Sequence, residues 1–510
     1  MPILPSARGV SPIADGALAE ALLARGRSAF QRSDLDGAIA AFRRVLTTGF
    51  FRSEALSDLT VALMARGETD NLEEAIQLMD ASLAATGPDW SVLHGKGLTL
   101  SRLGRFEEAS ACFAQVMRLA PNLNVGYVYL AKTLALMGRH EEAVAAYDAV
   151  PLALAAGDIG IPMMRGVSLE WLGRFEEAEA ELDRAIAMNP DDPFGYHNKG
   201  LLRLLQGDLP AGYRLMERRW EVFPHRVRRS FATPPWLGET SLEGKTLFVH
   251  WEQGLGDTIQ FCRYVPMAAR AGATVILEPQ APLARLLTTL PGVAQLLPDG
   301  AEPPPHDLHC PVMSLPLAFG TTKETIPGDT PYLRAEPDLV AAWRDRLAGI
   351  GRPRIGLVWG AGSRLGNAEL VSAEILKSVS LAALGPLASV KGAEFVSLQV
   401  GPPAAQAATP PDGMVLHDFS AELKDFSDTA ALIENLDLTI SICTSVAHLA
   451  GAMGKPVWLL NRFDTDWRWF LKGETTAWYP SMRIFRQPSI GDWDSVVRAV
   501  TAALRDFVGR

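Results

Sequence analysis

Over about its first 220 residues the chain repeats one arrangement of apolar, small and charged positions. Leu-Gly-Arg-Phe-Glu-Glu-Ala stands at 103–109 and again at 172–178, with Met-Gly-Arg-His-Glu-Glu-Ala between them at 137–143. Ala75, Ala109, Ala143 and Ala178 are 34, 34 and 35 residues apart, Ala38 precedes Ala75 by 37, and Gly212 follows Ala178 by 34. A second small-residue series, Gly97, Ala131, Gly166 and Gly200, runs in step with the first. Such a period predicts pairs of helices packed closely where the side chains are small. Phe42, Phe113 and Tyr147, each four residues after a key alanine, share its helix face and fill the next gap. Gly104, Gly138, Gly173 and Gly207 suit the turn inside each pair, where a left-handed backbone is needed. Pro121 and Pro190 end their repeats.

This spacing resembles the 34-residue tetratricopeptide (TPR) pattern, and the resemblance covers about residues 18–223. It implies an α-helical TPR solenoid of about six repeats whose concave face binds a partner protein or peptide, a structural spacer being the alternative.

Beyond Tyr213 the pattern changes. Pro224, Pro234, Pro235, Gly238 and Gly244 mark a linker. Short apolar runs then alternate with helical stretches. Strands are expected at 246–251, 274–278, 354–359, 394–399, 438–443 and 456–460. Helices are expected at 258–270, 282–290, 429–435 and 493–507. A Pro-rich stretch at 303–305 opens sequence that reads as irregular to about 335. Two α/β lobes with a crevice between them follow, with ligands beyond the carboxyl ends of the strands. The boundaries read as repeats over 1–223, linker over 224–243, and lobes over 244–345 and 346–510.

Composition narrows the function. The formal charge of −10 excludes a polyanion as main partner, so no nucleic acid is expected. The basic run Arg226, Arg228 and Arg229 reads as solvated linker. Cys112, Cys262, Cys310 and Cys443 show no CxxC spacing, which fits reduced thiols rather than disulfides or zinc. Met1–Arg8 lacks the look of a secretory signal, and no run reaches the ~20 apolar residues of a membrane span. A cytoplasmic protein is expected.

Two turns carry candidate chemistry. In Glu252-Gln253-Gly254-Leu255-Gly256-Asp257, Gly254 and Gly256 let backbone approach a ligand at a helix N-terminus, and Asp257 lies at the mouth of the crevice. The bland reading is a tight turn with Asp257 as helix cap. In the string running from Thr444 to Gly451, Thr444, Ser445 and His448 suit a diphosphate; a capped helix with a core-facing His448 reads equally well. Gly244-Lys245-Thr246 fails as a P-loop, because Gly238 is one residue too far and the triplet enters a strand. His306 and His309 sit in a Pro-rich segment, a poor frame for a metal. Asp464 and Asp466 match a metal-binding pair, but Trp467, Trp469 and Phe470 beside them read as packing, so no metal site is assigned.

The strings 252–261 (EQGLGDTIQF), 395–399 (FVSLQ), 425–430 (DFSDTA), 444–456 (TSVAHLAGAMGKP), 466–469 (DWRW), 478–482 (WYPSM) and 491–493 (GDW) together resemble bacterial TPR proteins carrying a heptosyltransferase-like (family nine) glycosyltransferase module. The resemblance implies two Rossmann-like lobes of GT-B type, the first on the acceptor side and the second on the nucleotide-sugar side. It implies Asp257 as catalytic base and Gly254, Gly256, Thr444, Ser445 and His448 at the donor. Lys377 and Ser378 fall where relatives have a basic residue before serine, and the Lys377 charge would steady the leaving diphosphate. Relatives usually carry Asp where this chain has Cys443. The expected activity is metal-independent, inverting transfer from a nucleotide sugar to a protein or glycan acceptor held by the TPR groove, with no cofactor. The alternative is a non-catalytic scaffold with a degenerate module.

Overall fold

The computed structural model describes residues 12–222, 231–362 and 376–509. The run Arg226, Arg228 and Arg229, and Pro224, lie outside them. The described residues up to Ser168 form one compact unit and those from Leu169 onward a second.

Helices α1 (Pro12–Gln31) and α2 (Leu35–Thr48), α3 (Arg52–Arg66) and α4 (Thr69–Thr86), α5 (Trp90–Arg102) and α6 (Phe106–Leu119), and α7 (Val125–Leu136) and α8 (His140–Asp148) pair successively. A short α9 (Leu152–Ala155) precedes α10 (Gly160–Trp171), at which the first unit ends. The small residues act as expected. A Cβ on Gly97 would lie 2.6 Å from the ring of the fully buried Phe113. Ala38, Ala75, Ala109, Ala131 and Ala143 are fully buried. Gly104, Gly138, Gly173 and Gly207 take φ of 75°, 76°, 73° and 92°, so each turn needs a residue without Cβ. In the repeated Gly-Arg-X-Glu-Glu, the arginine pairs with the second glutamate at 2.6 Å in Arg105–Glu108 and 2.5 Å in Arg139–Glu142. The glutamates also occupy the first helical turn, where the dipole favours them.

The second unit begins with α11 (Phe175–Met188), α12 (Pro193–Gln206), α13 (Leu209–Met216) and α14 (Arg219–Val222). It continues into a four-stranded parallel sheet of β1 (Thr246–His250), β2 (Thr274–Glu278), β3 (Val293–Leu296) and β4 (Leu308–Pro311), in the order β3-β2-β1-β4. A six-stranded parallel sheet follows, built from β5 (Arg354–Val358), β6 (Glu394–Ser397), β7 (Leu416–Asp418), β8 (Leu438–Ile442), β9 (Val457–Asn461) and β10 (Met482–Arg486). Its order is β10-β9-β8-β5-β6-β7. Two parallel-sheet lobes are the expected GT-B-like arrangement. Two readings need correction. The stretch after 303–305 is not irregular throughout, because β4 runs beside β1 there. The helix expected over 258–270 breaks into Leu255–Phe261, a 3-10 turn at Cys262–Tyr264, and Val265–Arg270, with Pro266 in the first turn of the last piece. One continuous core joins Leu204, Leu209, Tyr213 and Met216 of the repeats to Trp236, Phe261, Trp467 and Trp478 of the lobes.

Candidate functional site

Strand order fixes where a ligand can enter. From β1 the chain goes to β2 and β3 on one side and returns to β4 on the other, so the switch lies at the end of β1. In the second sheet the switch lies between β5 and β8. The two candidate turns, 251–257 after β1 and 443–445 after β8, are the segments that leave those points. They meet: a Cβ on Gly256 would lie 3.1 Å from His448 Cδ2 and 3.6 Å from Ser445 Cα. Residues 253–257 and 443–445 stay half-buried at this junction.

Gln253 takes φ of 60°, and Gly254 caps the helix Leu255–Phe261. Asp257 Oδ2 accepts the Gly254 N–H at 2.8 Å, so its carboxylate does close the helix end as the bland reading had it, from three residues inside rather than from the cap position. Its other oxygen, Oδ1, pairs with the guanidinium of Arg468 in the second lobe. Arg468 also donates to Asp466 at 3.0 and 3.1 Å and to Gln260 Oε1 at 2.6 Å, and it stacks on Trp467 at 4.3 Å. Burial opposes the charge of Asp466, but Arg468 more than offsets this and holds the carboxyl below its usual range. Arg468 belongs to the quoted DWRW string, yet its contact with the Asp257 turn was invisible in sequence. The partners are 211 positions apart.

At the other turn, Thr444 caps the helix Ser445–Ala452 by backbone alone. Its hydroxyl pairs with Ser441 Oγ at 3.1 Å and makes no bond to the first-turn amides. His448 is 5% exposed, stacks on Trp469, and meets Tyr479 Oη through Nδ1 at 2.9 Å. Burial, reinforced by Arg468, pushes its imidazole down to about 3, so it is neutral at ordinary pH. His448 is thus core-facing, as one of the two readings had it, while one ring edge lies beside Gly256. Cys443 Sγ accepts from Trp469 Nε1 at 3.2 Å. Burial and the nearby Asp466 push this thiol up, with Trp469, Lys377 and Arg468 opposing. Ser378 instead accepts the Ala361 N–H at 3.0 Å, just past β5. Gln399 holds that end too, its Oε1 accepting from Trp359 and Gly360 at 3.0 and 2.8 Å.

Glu252, the first residue of the glycine-rich string, serves as an anchor. Arg219 of α14 grips it with two bonds of 2.8 and 2.7 Å and also reaches Glu217 and Ser314, each at 2.7 Å. Asp464 and Asp466 do not converge on one point: Asp464 pairs with Arg462 at 2.8 Å, and Asp466 with Arg468. Among the described residues no cluster of three or more His, Cys, Asp or Glu side chains is arranged to hold a metal ion, and no helix is long and apolar enough to cross a membrane. The four cysteines are unpaired, three of them buried. His309 lies within β4 with its ring 4.6 Å from that of Phe231.

Two family models described as tetratricopeptide repeat match the chain, one at residues 91–123 and the other at 14–55, 23–89 and 163–213. The chain is 25% identical to Protein FlbA of Caulobacter vibrioides, over 97% of this chain and 94% of FlbA. A glycosyl transferase family 9 structure from Veillonella parvula aligns with 53% of this chain and 98% of its own, at 11% identity and a TM-score of 0.38. A MamA structure aligns with 34% of this chain and 93% of its own, at 20% identity and a TM-score of 0.31. Residues 14–89, 91–123 and 163–213 thus carry tetratricopeptide repeats, and an α/β module of two parallel-sheet lobes follows them.

Proposed function

We propose that the module transfers a sugar from a nucleotide-sugar donor to a hydroxyl of a protein or glycan acceptor recruited by the repeats. The reaction is inverting and needs neither metal nor cofactor, and the protein works in the cytoplasm, where its thiols stay reduced. The observation that carries this reading is the meeting of two glycine- and hydroxyl-rich turns, each at the switch point of its own sheet.

In this reading Asp257 takes the proton of the acceptor hydroxyl as that oxygen bonds to the anomeric carbon. The bond from that carbon to the diphosphate oxygen breaks, and the nucleoside diphosphate leaves with the electron pair. The first-turn amides at Thr444 and Ser445, which have no side-chain cap, suit the diphosphate, and Lys377 suits its leaving charge. Gly254 and Gly256 keep the approach clear, Ser378 shapes the end of β5, and His448 contributes as a neutral ring. An open groove of about 430 Å3 in the last repeats, lined by Tyr196, Lys199, Arg203 and Arg214 among others, supports acceptor recruitment there.

A non-catalytic scaffold is the second reading, favoured by Cys443 in place of a carboxylate and by the engagement of both Asp257 oxygens. Nucleotide sugars are screened for thermal stabilisation, and turnover is then measured with and without chelator for wild type and Asp257→Ala. Transfer lost in the variant and indifferent to chelator supports the first reading. Stabilisation without any turnover supports the scaffold.

A further inference from the structure

We infer that Arg468 is a positioning residue for the transfer, holding the Asp257 carboxylate of one lobe in register with the donor turn of the other. The inference rests on the transferase reading above. Arg468 is 8% exposed, and its whole fork is committed: one nitrogen to Gln260 and one to each of two carboxylates. Asp257 and Gln260 come from the helix Leu255–Phe261, whereas Asp466 and Arg468 come from the segment after β9. One planar cation therefore ties the first lobe's glycine turn to the second lobe. Stacking on Trp467 and the nearby Phe261 ring fixes its plane.

A carboxylate that must meet an acceptor proton needs a single orientation, because an error of about 1 Å costs on the order of a hundredfold in rate. Asp257 gets that orientation from two sides, the Gly254 amide and the Arg468 fork. Gly254 fixes it within its own turn; Arg468 fixes it relative to Thr444, Ser445 and the donor. Lysine cannot replace the fork, since a point charge on a flexible stem cannot hold two carboxylates in one plane. The other charged or titratable groups acting here are Lys377, Cys443, His448, Arg263, Tyr213 and Tyr479. Without Arg468, Asp257 and Asp466 would share a half-buried site with no cation between them.

The test uses the full chain and a donor that wild type turns over, comparing Arg468→Gln and Arg468→Lys by initial rates from pH 4 to 9, with unfolding followed alongside. Arg468→Gln is expected to lower kcat about a hundredfold, the low end of what a general base supplies, with donor KM changed less than about threefold. Arg468→Lys does not restore kcat. A wild-type kcat in either variant overturns the inference, as does a loss confined to donor KM, which would make Arg468 an anion contact. If Arg468→Gln does not fold, Arg468→Lys alone decides on the same criteria. A wild type that transfers nothing from any nucleotide sugar defeats the transferase reading itself, a result distinct from active wild type with indifferent variants.

Discussion

Replacing Arg219 by methionine should be among the most damaging single changes in the second unit. Arg219 and Glu252 are 3% and 6% exposed, and burial pushes the Glu252 carboxyl up while the guanidinium pulls against it. Methionine keeps most of the volume but removes both bonds to Glu252, leaving it the Met313 N–H at 3.2 Å. Breaking a buried pair from one side costs about 3–5 kcal/mol, mostly as the penalty of the stranded charge. Glu252→Gln should cost about 2 kcal/mol, since one charged hydrogen bond is lost and Glu217 still faces the arginine. Arg219→Met with Glu252→Met should recover most of the loss, because apolar isosteres of buried pairs are often neutral. All of the 12 tryptophans except Trp90 lie in the second unit, so their fluorescence in urea reports that transition. A single variant within about 1 kcal/mol of wild type, or a double mutant equal to the sum of the singles, would refute the reasoning.

Glu170 is raised to about 8 by burial and by Asp464, which burial itself raises to about 6. A folded pKa above the unfolded one means stability present below about pH 4.5 and lost as pH rises through 8. Glu170→Gln should therefore raise Tm at pH 8 and lose that advantage towards pH 5; equal gains at both pH values would count against the assignment. Gly451→Ala would set a Cβ 2.5 Å from the ring of the fully buried Tyr479, so a loss of about 1–3 kcal/mol is expected in urea unfolding. The His448 ring proton resonances should not titrate between pH 5 and 8; a midpoint near 6.5 would show the ring to be solvated.

The repeats were legible because small residues and glycines recur in phase, and each has one physical job. Central strands such as β1, β2, β5 and β8 announced themselves as apolar runs. The strands β3, β7 and β10 did not: β3 alternates weakly at a sheet edge, β7 is three residues long, and Arg483 interrupts β10. In β4 the neighbouring prolines masked a strand that pairs with β1 on one side and bridges Pro235 on the other. The glycine turns marked where the two lobes' candidate turns meet, since close approach needs residues without side chains. The roles of Arg468, Arg219 and Gln399 were hidden, because each acts on a partner brought near only by folding. Glu252 shows the complementary case, a motif residue spent on anchoring rather than chemistry.

A helical stack ordinarily needs a polar terminal repeat to shield its last apolar face from water. Here Leu204, Leu209, Tyr213 and Met216 lie in one core with Trp236 and Trp467, so the α/β module itself serves as that lid. Cutting the chain after the final repeat would bare this face on both fragments. Exchange of repeats between such proteins should succeed at junctions nearer the N-terminus and fail at this one.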